Sequence, residues 1–333
     1  MTERPRLMGN RLILAMGVMV AVAVSMLGIS TASAESVGNT VNTLKVSPVR
    51  SDIQVKPGEK TEVAITVTNL TNNPIKIRPM TNDFVAADEK GTPSLILDET
   101  EFAKSHSLKR FMSALNEEII PGKESKTIKV TISVPVGAQA GGYFGAVRFM
   151  PSVPDSGGQV NMAPSVASLI MLTVPGVLVE KLELSNFSIQ QDGTAKTVFR
   201  DAKDLQASFR FTSSSNVQVG PFGKVSVKKG NNVVYAADFN ASNPRDMILP
   251  DSARRWDVPL EKVDGFGKYT VAATLTYGTT NKAIEVEKTF WIIPTSFIVG
   301  SAIGVVLLLA IIAAIWWTLK QRSSRVRRVR RSR

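Results

Sequence analysis

Along much of this chain the apolar residues return at every second position, the period of a half-buried strand rather than of a helix. In Glu62-Val-Ala-Ile-Thr-Val-Thr68, Val63, Ile65 and Val67 share one face while Glu62, Thr66 and Thr68 take the other. Ile75-Lys-Ile-Arg78 alternates likewise, and Lys126–Val134 sends Ile128, Val130, Ile132 and Val134 to one side. Two segments, Tyr143–Met150 and Ser168–Val174, are apolar on both faces, as central strands are. A second series follows at 182–190, 206–212, 223–228, 233–239, 268–277 and 283–293. In 268–277 Tyr269, Val271, Ala273, Leu275 and Tyr277 share a face, and no segment before Phe297 has the period of a long amphipathic helix.

Turn chemistry divides these strands. Lys56-Pro-Gly-Glu and Ile120-Pro-Gly-Lys each precede an alternating strand. Proline sets the φ that opens such a turn, and the glycine is expected to take the positive φ that follows. Short strands at this spacing predict an all-β fold of two tandem immunoglobulin-like sandwiches, over residues 44–179 and 180–294. Pro151–Gly158 is expected as a surface loop within the first sandwich, and the strand after it, through about Val174, as a return that completes that sandwich.

The two ends of the chain break the pattern. Arg4, Arg6 and Arg11 precede the apolar run Leu12–Leu27, and Ala32-Ser33-Ala34 follows with the small-x-small spacing of a cleavage site, so residues 1–34 read as a signal peptide. Phe297–Leu319 is 23 residues without a charge, long enough to span a bilayer as a helix. A basic tail, 320–333, follows it. Eight positive charges there predict a cytoplasmic C-terminus, with the stretch between leader and span displayed outside on a single-pass anchor. Trp316 and Trp317, with Lys320 and Arg322 behind them, fit the membrane interface. Gly300-Ser-Ala-Ile-Gly304 is a small-xxx-small pattern that could pair two such helices into a homodimer. The last strand runs almost directly into the span, which predicts a second sandwich close to the bilayer and a first one farther out.

Charge changes the picture less than its total suggests. The formal net charge is +12, but the tail holds 8 of the 40 Lys and Arg and the leader another 3 with a single acid. That leaves 29 bases against 27 acids between them, no concentrated phosphate-tracking surface, and a reading without nucleic acid. The chain has no cysteine and one histidine, His106. Disulfides, thiol nucleophiles and Cys-based metal sites are therefore excluded, and nearly all His-dependent triads with them. The reading is non-catalytic, with no cofactor and no metal.

Candidate chemistry gathers at Gly141-Gly-Tyr-Phe-Gly-Ala-Val-Arg-Phe149. Gly141 and Gly142 could let another backbone or a sugar approach closely, while Tyr143, Phe144 and Arg148 could stack on or hydrogen-bond a glycan. The competing reading is that the glycines accommodate a bend and the aromatics fill the core. Asp83, Asp88, Glu89 and the Asp98–Glu101 run are acidic, but no regular ligand spacing sets them apart from a solvated loop. His106, between Ser105 and Ser107, reads as an exposed loop histidine, and Arg254-Arg-Trp256 as an edge strand with a partly packed indole.

Several of these segments resemble the WxL-interacting proteins of cell surfaces. The resemblance rests on Ser47-Pro-Val, on Lys56-Pro-Gly-Glu-Lys with the strand Val63–Asn69, on Ile120-Pro-Gly-Lys-Glu with a strand ending Val134-Pro135, and on Gly141–Phe149. It covers about Leu44–Leu178 and is weaker beyond. It implies a peptidoglycan-binding first domain and a second immunoglobulin-like domain that binds host or partner protein. The expectation is thus a membrane-anchored envelope protein that binds wall polymer or a surface protein. A chaperone-like assembly factor acting by strand addition is the alternative, since an exposed sheet edge can accept a strand.

Overall fold

The structure is a computed structural model that describes residues 43–152 and 164–329, with side chains described through residue 317. The expected leader with Ala32 and Ala34, most of the 151–158 loop, and the side chains of Lys320 and Arg322 lie outside the described residues.

Nine strands form the first part: β1 (Leu44–Ser47), β2 (Arg50–Gln54), β3 (Lys60–Asn69), β4 (Ile75–Ala86), β5 (Pro93–Leu95), β6 (Glu118–Ile120), β7 (Ser125–Ser133), β8 (Gly141–Ser152) and β9 (Val166–Val174). They pair as a small sheet β1-β3-β7 and a larger one β2-β9-β8-β4-β5, with β6 also on β4. The alternation read from the sequence is the reason they stack. Val63, Ile65 and Val67 of β3 and Ile128, Val130 and Ile132 of β7 face Ile77, Val147, Phe149, Ile170 and Leu172 of the larger sheet across one core. Each fully buried aliphatic side chain there contributes about 1.5–3 kcal/mol.

Nine further strands make the second part: β10 (Leu182–Gln191), β11 (Thr194–Ala195), β12 (Val198–Phe199), β13 (Leu205–Ser213), β14 (Phe222–Lys229), β15 (Asn232–Phe239), β16 (Ala253–Pro259), β17 (Gly267–Tyr277) and β18 (Lys282–Ile292). Their sheets, β11-β10-β13-β16 and β12-β18-β17-β14-β15, enclose a core rich in aromatics, including Phe209, Phe211, Phe239, Tyr269 and Phe290. The Tyr269 hydroxyl donates to the carbonyl of Asp264, a tie to backbone just upstream that is common in immunoglobulin-type sandwiches. Both parts are thus two-sheet β-sandwiches, and no strand pair joins residues of one to residues of the other among the described residues.

The central strands β8 and β9 are apolar on both faces because the larger sheet is covered twice. Its inner face meets the first core. On its outer face Phe84, Phe144, Ala146 and Met171 pack with Met247 and Leu249 from the loop before β16. Polar ties flank this apolar contact. Glu89 accepts from Arg210 Nε and Nη2 at 2.9 and 2.7 Å, and from Arg255 Nη2 at 3.2 Å. Gly142 N donates to Asn216 O at 2.8 Å, and Gln218 Nε2 to Thr173 Oγ1 at 3.1 Å.

The second proline-glycine turn differs from expectation. Gly58 carries the expected positive φ, +83°, but in the other turn the positive φ falls on Lys123, at +63°. Gly122 is required for space instead: a Cβ there would lie 2.0 Å from the Asn72 carbonyl oxygen.

Helix α1 (Thr295–Val329) begins three residues after β18. Its apolar stretch starts at Thr295, two residues earlier than the sequence pattern placed it, and is described through Trp317, with an 18-residue window of mean hydropathy 2.9. Gly300 and Gly304 stand one turn apart on its surface with open space around both, and Trp316 and Trp317 are exposed near its far end.

Candidate functional site

The five residues singled out on β8 do not share one environment. Phe144 is 3% exposed, locked in the contact between the sandwiches, with its ring edge-on to Phe84 at 5.9 Å. Arg148 follows on that same face, with Nη2 3.5 Å from Met80 Sδ. Gly141 and Gly142 do admit another backbone, and it is the chain's own. A Cβ on Gly141 would lie 2.6 Å from Asn216 O, and one on Gly142 3.4 Å from Val217 Cα. Tyr143 points the other way. It is partly exposed, its ring lies 4.8 Å from Phe111, and its hydroxyl donates to Gln139 O at 2.9 Å. Burial pushes its phenol pKa up, so the hydroxyl is a donor throughout the physiological range.

Tyr143 and Gly141 line a hollow of about 510 Å³ whose other wall is the loop from Ala103 to Phe111. That loop is built around Asp83. This carboxylate, fully buried on β4, accepts from Ala103 N at 2.9 Å and Lys109 N at 2.8 Å. It is a fastener, and the acidic region is therefore not uniformly a solvated loop. Three of the other acids hold turns or a cation: Asp88 accepts from Lys90 N and Thr92 N, Asp98 from Thr100 N, and Glu99 from Arg78. Among the described residues no three His, Cys, Asp or Glu side chains gather as a metal would need.

His106 corrects the sequence reading most. It is part-buried rather than exposed, with a left-handed φ of +59° that is uncommon outside glycine. Its Nδ1–H donates to Gly142 O at 2.6 Å, and its own carbonyl accepts from Phe144 N at 2.9 Å. The loop is thus strapped to the start of β8. His106 and Tyr143 stand edge to face at 6.4 Å.

Charge in the hollow is one-sided. Lys104 and Arg110 line it, no carboxylate does, and neither cation has an ion-pair partner among the described residues. Arg110 is held by stacking on Phe102, with Cζ 4.4 Å from the ring centroid. Gln139 and Ser105 add hydrogen-bonding groups, while the Asn216 side chain is engaged within the protein: Nδ2 donates to Ala140 O and Val177 O and Oδ1 accepts from Val179 N, which brings the second sandwich to the rim. An aromatic face, two free cations and several amide and hydroxyl groups suit a polar ligand that carries carboxylates or acylated sugars. Lys104, His106 and Arg110 were invisible as a group in the sequence, because the buried bonds of Asp83 and the bonds of His106 to β8 together fold their loop against Tyr143.

A second hollow, of about 470 Å³, lies against the contact between the sandwiches and is lined by Val49, Phe84, Met171, Met247 and Leu249 among others. Its arginines are already engaged. Arg50 pairs with Asp52 at 2.8 Å and Arg254 with Asp246 at 3.0 Å.

Residues 51–150 match the sequence model of the WxL Interacting Protein, peptidoglycan binding domain. The match covers 100 of the 333 residues and lies within the first sandwich. Every lining residue of the Tyr143 hollow except Asn216 falls inside the matched segment. No curated protein matches the chain. Among solved structures it is similar to the class 5 fimbriae chaperone CfaA, at 15% identity over 75% of this chain and 99% of that one, with a TM-score of 0.37. It is also similar to the YadV chaperone (13%, 74% and 100%, TM-score 0.36) and the E. coli chaperone DraB (13%, 75% and 97%, TM-score 0.33).

Proposed function

We propose that this chain is a non-catalytic envelope protein that holds cell-wall peptidoglycan close to the membrane. The observation that carries the reading is the match of residues 51–150 to a peptidoglycan-binding domain, and the Tyr143 hollow supplies the chemistry it needs. Peptidoglycan offers acetamido sugars and peptide stems with free carboxylates. In this reading Tyr143 stacks on a sugar ring, Arg110 and Lys104 meet stem carboxylates, and Gln139 and Ser105 bond the amides. Helix α1 anchors the complex, with the basic tail in the cytoplasm and both sandwiches outside. The anchoring part of the reading is supported by an apolar stretch of 23 residues.

Soluble muropeptides titrated into the full chain in detergent test the site. Tyr143→Ala and Arg110→Ala are each expected to weaken binding about tenfold, the effect of losing one central aromatic or arginine contact. Arg148→Ala, away from the hollow, should leave the affinity unchanged. Equal affinity in all three variants would discard the hollow as the site.

A further inference from the structure

We propose that the end of the second sandwich nearest α1 is a membrane-docking surface, seated in the boundary between headgroups and acyl chains of the bilayer that holds the helix. The inference rests on α1 being a membrane span and goes beyond wall binding. Three observations carry it. First, no flexible spacer separates fold from span: β18 ends at Ile292 and the apolar stretch starts at Thr295. At about 1.5 Å per residue, 23 residues cover about 34 Å, close to the ~30 Å hydrocarbon thickness. Thr295 therefore lies at the upper edge of the hydrocarbon, with Trp316 and Trp317 near the lower.

Second, the loop between β16 and β17 reaches the span itself. Phe266 stacks on Phe297, with centroids 4.4 Å apart and planes at 19°. Phe297 belongs to the apolar stretch, so Phe266 is drawn to that depth with it. The two side chains are still 45% and 51% exposed, an apolar pair in water but a solvated one in lipid. Third, the neighbouring sheet surface continues the patch. Val198, Trp291 and Lys268 are direct cross-strand partners on β12, β18 and β17, so they share a face, and it is the outward one because Phe290 beside them is fully buried. Trp291 is 42% exposed, four positions before Thr295, where an indole suits the headgroup region. The charges of Lys262 on this loop and of Lys268 on β17 are offset by Glu261 and Asp264 of the loop. The docking is thus driven by apolar insertion and does not need anionic lipid.

Since the chain has no cysteine, single labels can be placed without background. The full chain carrying Phe266→Cys, Lys268→Cys, Thr280→Cys or Ile303→Cys is spin-labelled and reconstituted in phosphatidylcholine vesicles. Relaxation by oxygen is then compared with relaxation by a water-soluble nickel complex. Labels at 266 and 268 are expected to be shielded from nickel, as at 303, while 280, at the opposite end of the sheet, relaxes freely. Adding Phe266→Ser and Trp291→Ser to the Lys268→Cys chain should restore nickel access there. Nickel access at 266 and 268 equal to that at 280, with 303 shielded, overturns the docking and leaves the anchor intact. Nickel access at 303 as well overturns both.

Discussion

Gly122 and Asp83 show how single residues set the candidate site. At Gly122 the requirement is spatial, since a Cβ would sit 2.0 Å from a backbone oxygen that cannot move aside cheaply. Gly122→Ala is expected to destabilise the chain by about 1–3 kcal/mol, the usual cost of overpacking. Gly137→Ala, with nothing within 4 Å of the new methyl, should stay within about 0.5 kcal/mol, and denaturant unfolding compares the two. The proline-glycine turn was legible in the sequence. The reason for its glycine was not, because the clash comes from Asn72, on a different turn. Asp83 has the same character: its acidity is plain, but its two bonds go to backbone N–H groups of residues 103 and 109. Asp83→Ala removes two charge-assisted bonds worth about 1.5–3 kcal/mol each, and should free the His106 loop to exchange its amide protons.

Among elements, β8 carries the most. Its odd positions Val147 and Phe149 fill the first core, and its even positions Phe144 and Ala146 meet Met247 and Leu249 of the second sandwich. Period two and apolar character on both faces were visible along Tyr143–Met150, and they correctly made this a central strand. What covers the second face was not visible, since the 247–249 segment lies about a hundred residues away and has no strand pattern. That is why Phe144 and Gly142 looked like candidates for ligand contact. Phe144→Ala should cost about 3–5 kcal/mol in global stability, as for other buried phenylalanines. A loss below 1 kcal/mol in denaturant titration would mean that the two sandwiches do not pack as described.

For the molecule as a whole, the coupling of the two sandwiches and their anchoring define what the protein can do. The Arg210 guanidinium, through its hydrogen bond and charge, holds the Glu89 carboxyl below its ordinary value of 4.5. A depressed carboxylate contributes fully above that ordinary value, and the contribution fades as pH falls through the lower folded value. The contact is therefore expected to be constant from neutral pH down to about 4.5 and to loosen only in stronger acid. Amide exchange at Arg255, whose N–H donates to Glu89 O, reads this directly, and Glu89→Gln should remove the pH step. Two sandwiches and a span could be read from the sequence, as alternation and an uncharged stretch are local signals. The hollow could not, because it exists only where the loop between β5 and β6, the start of β8 and Asn216 converge.

The central claim is that the first sandwich binds peptidoglycan, and co-sedimentation of the full chain, in detergent, with purified wall sacculi tests it most directly. Saturable binding that is lost in the Tyr143→Ala/Arg110→Ala double variant, with unfolding unchanged, is the predicted result. A chain that stays in the supernatant at every sacculus concentration would contradict wall binding.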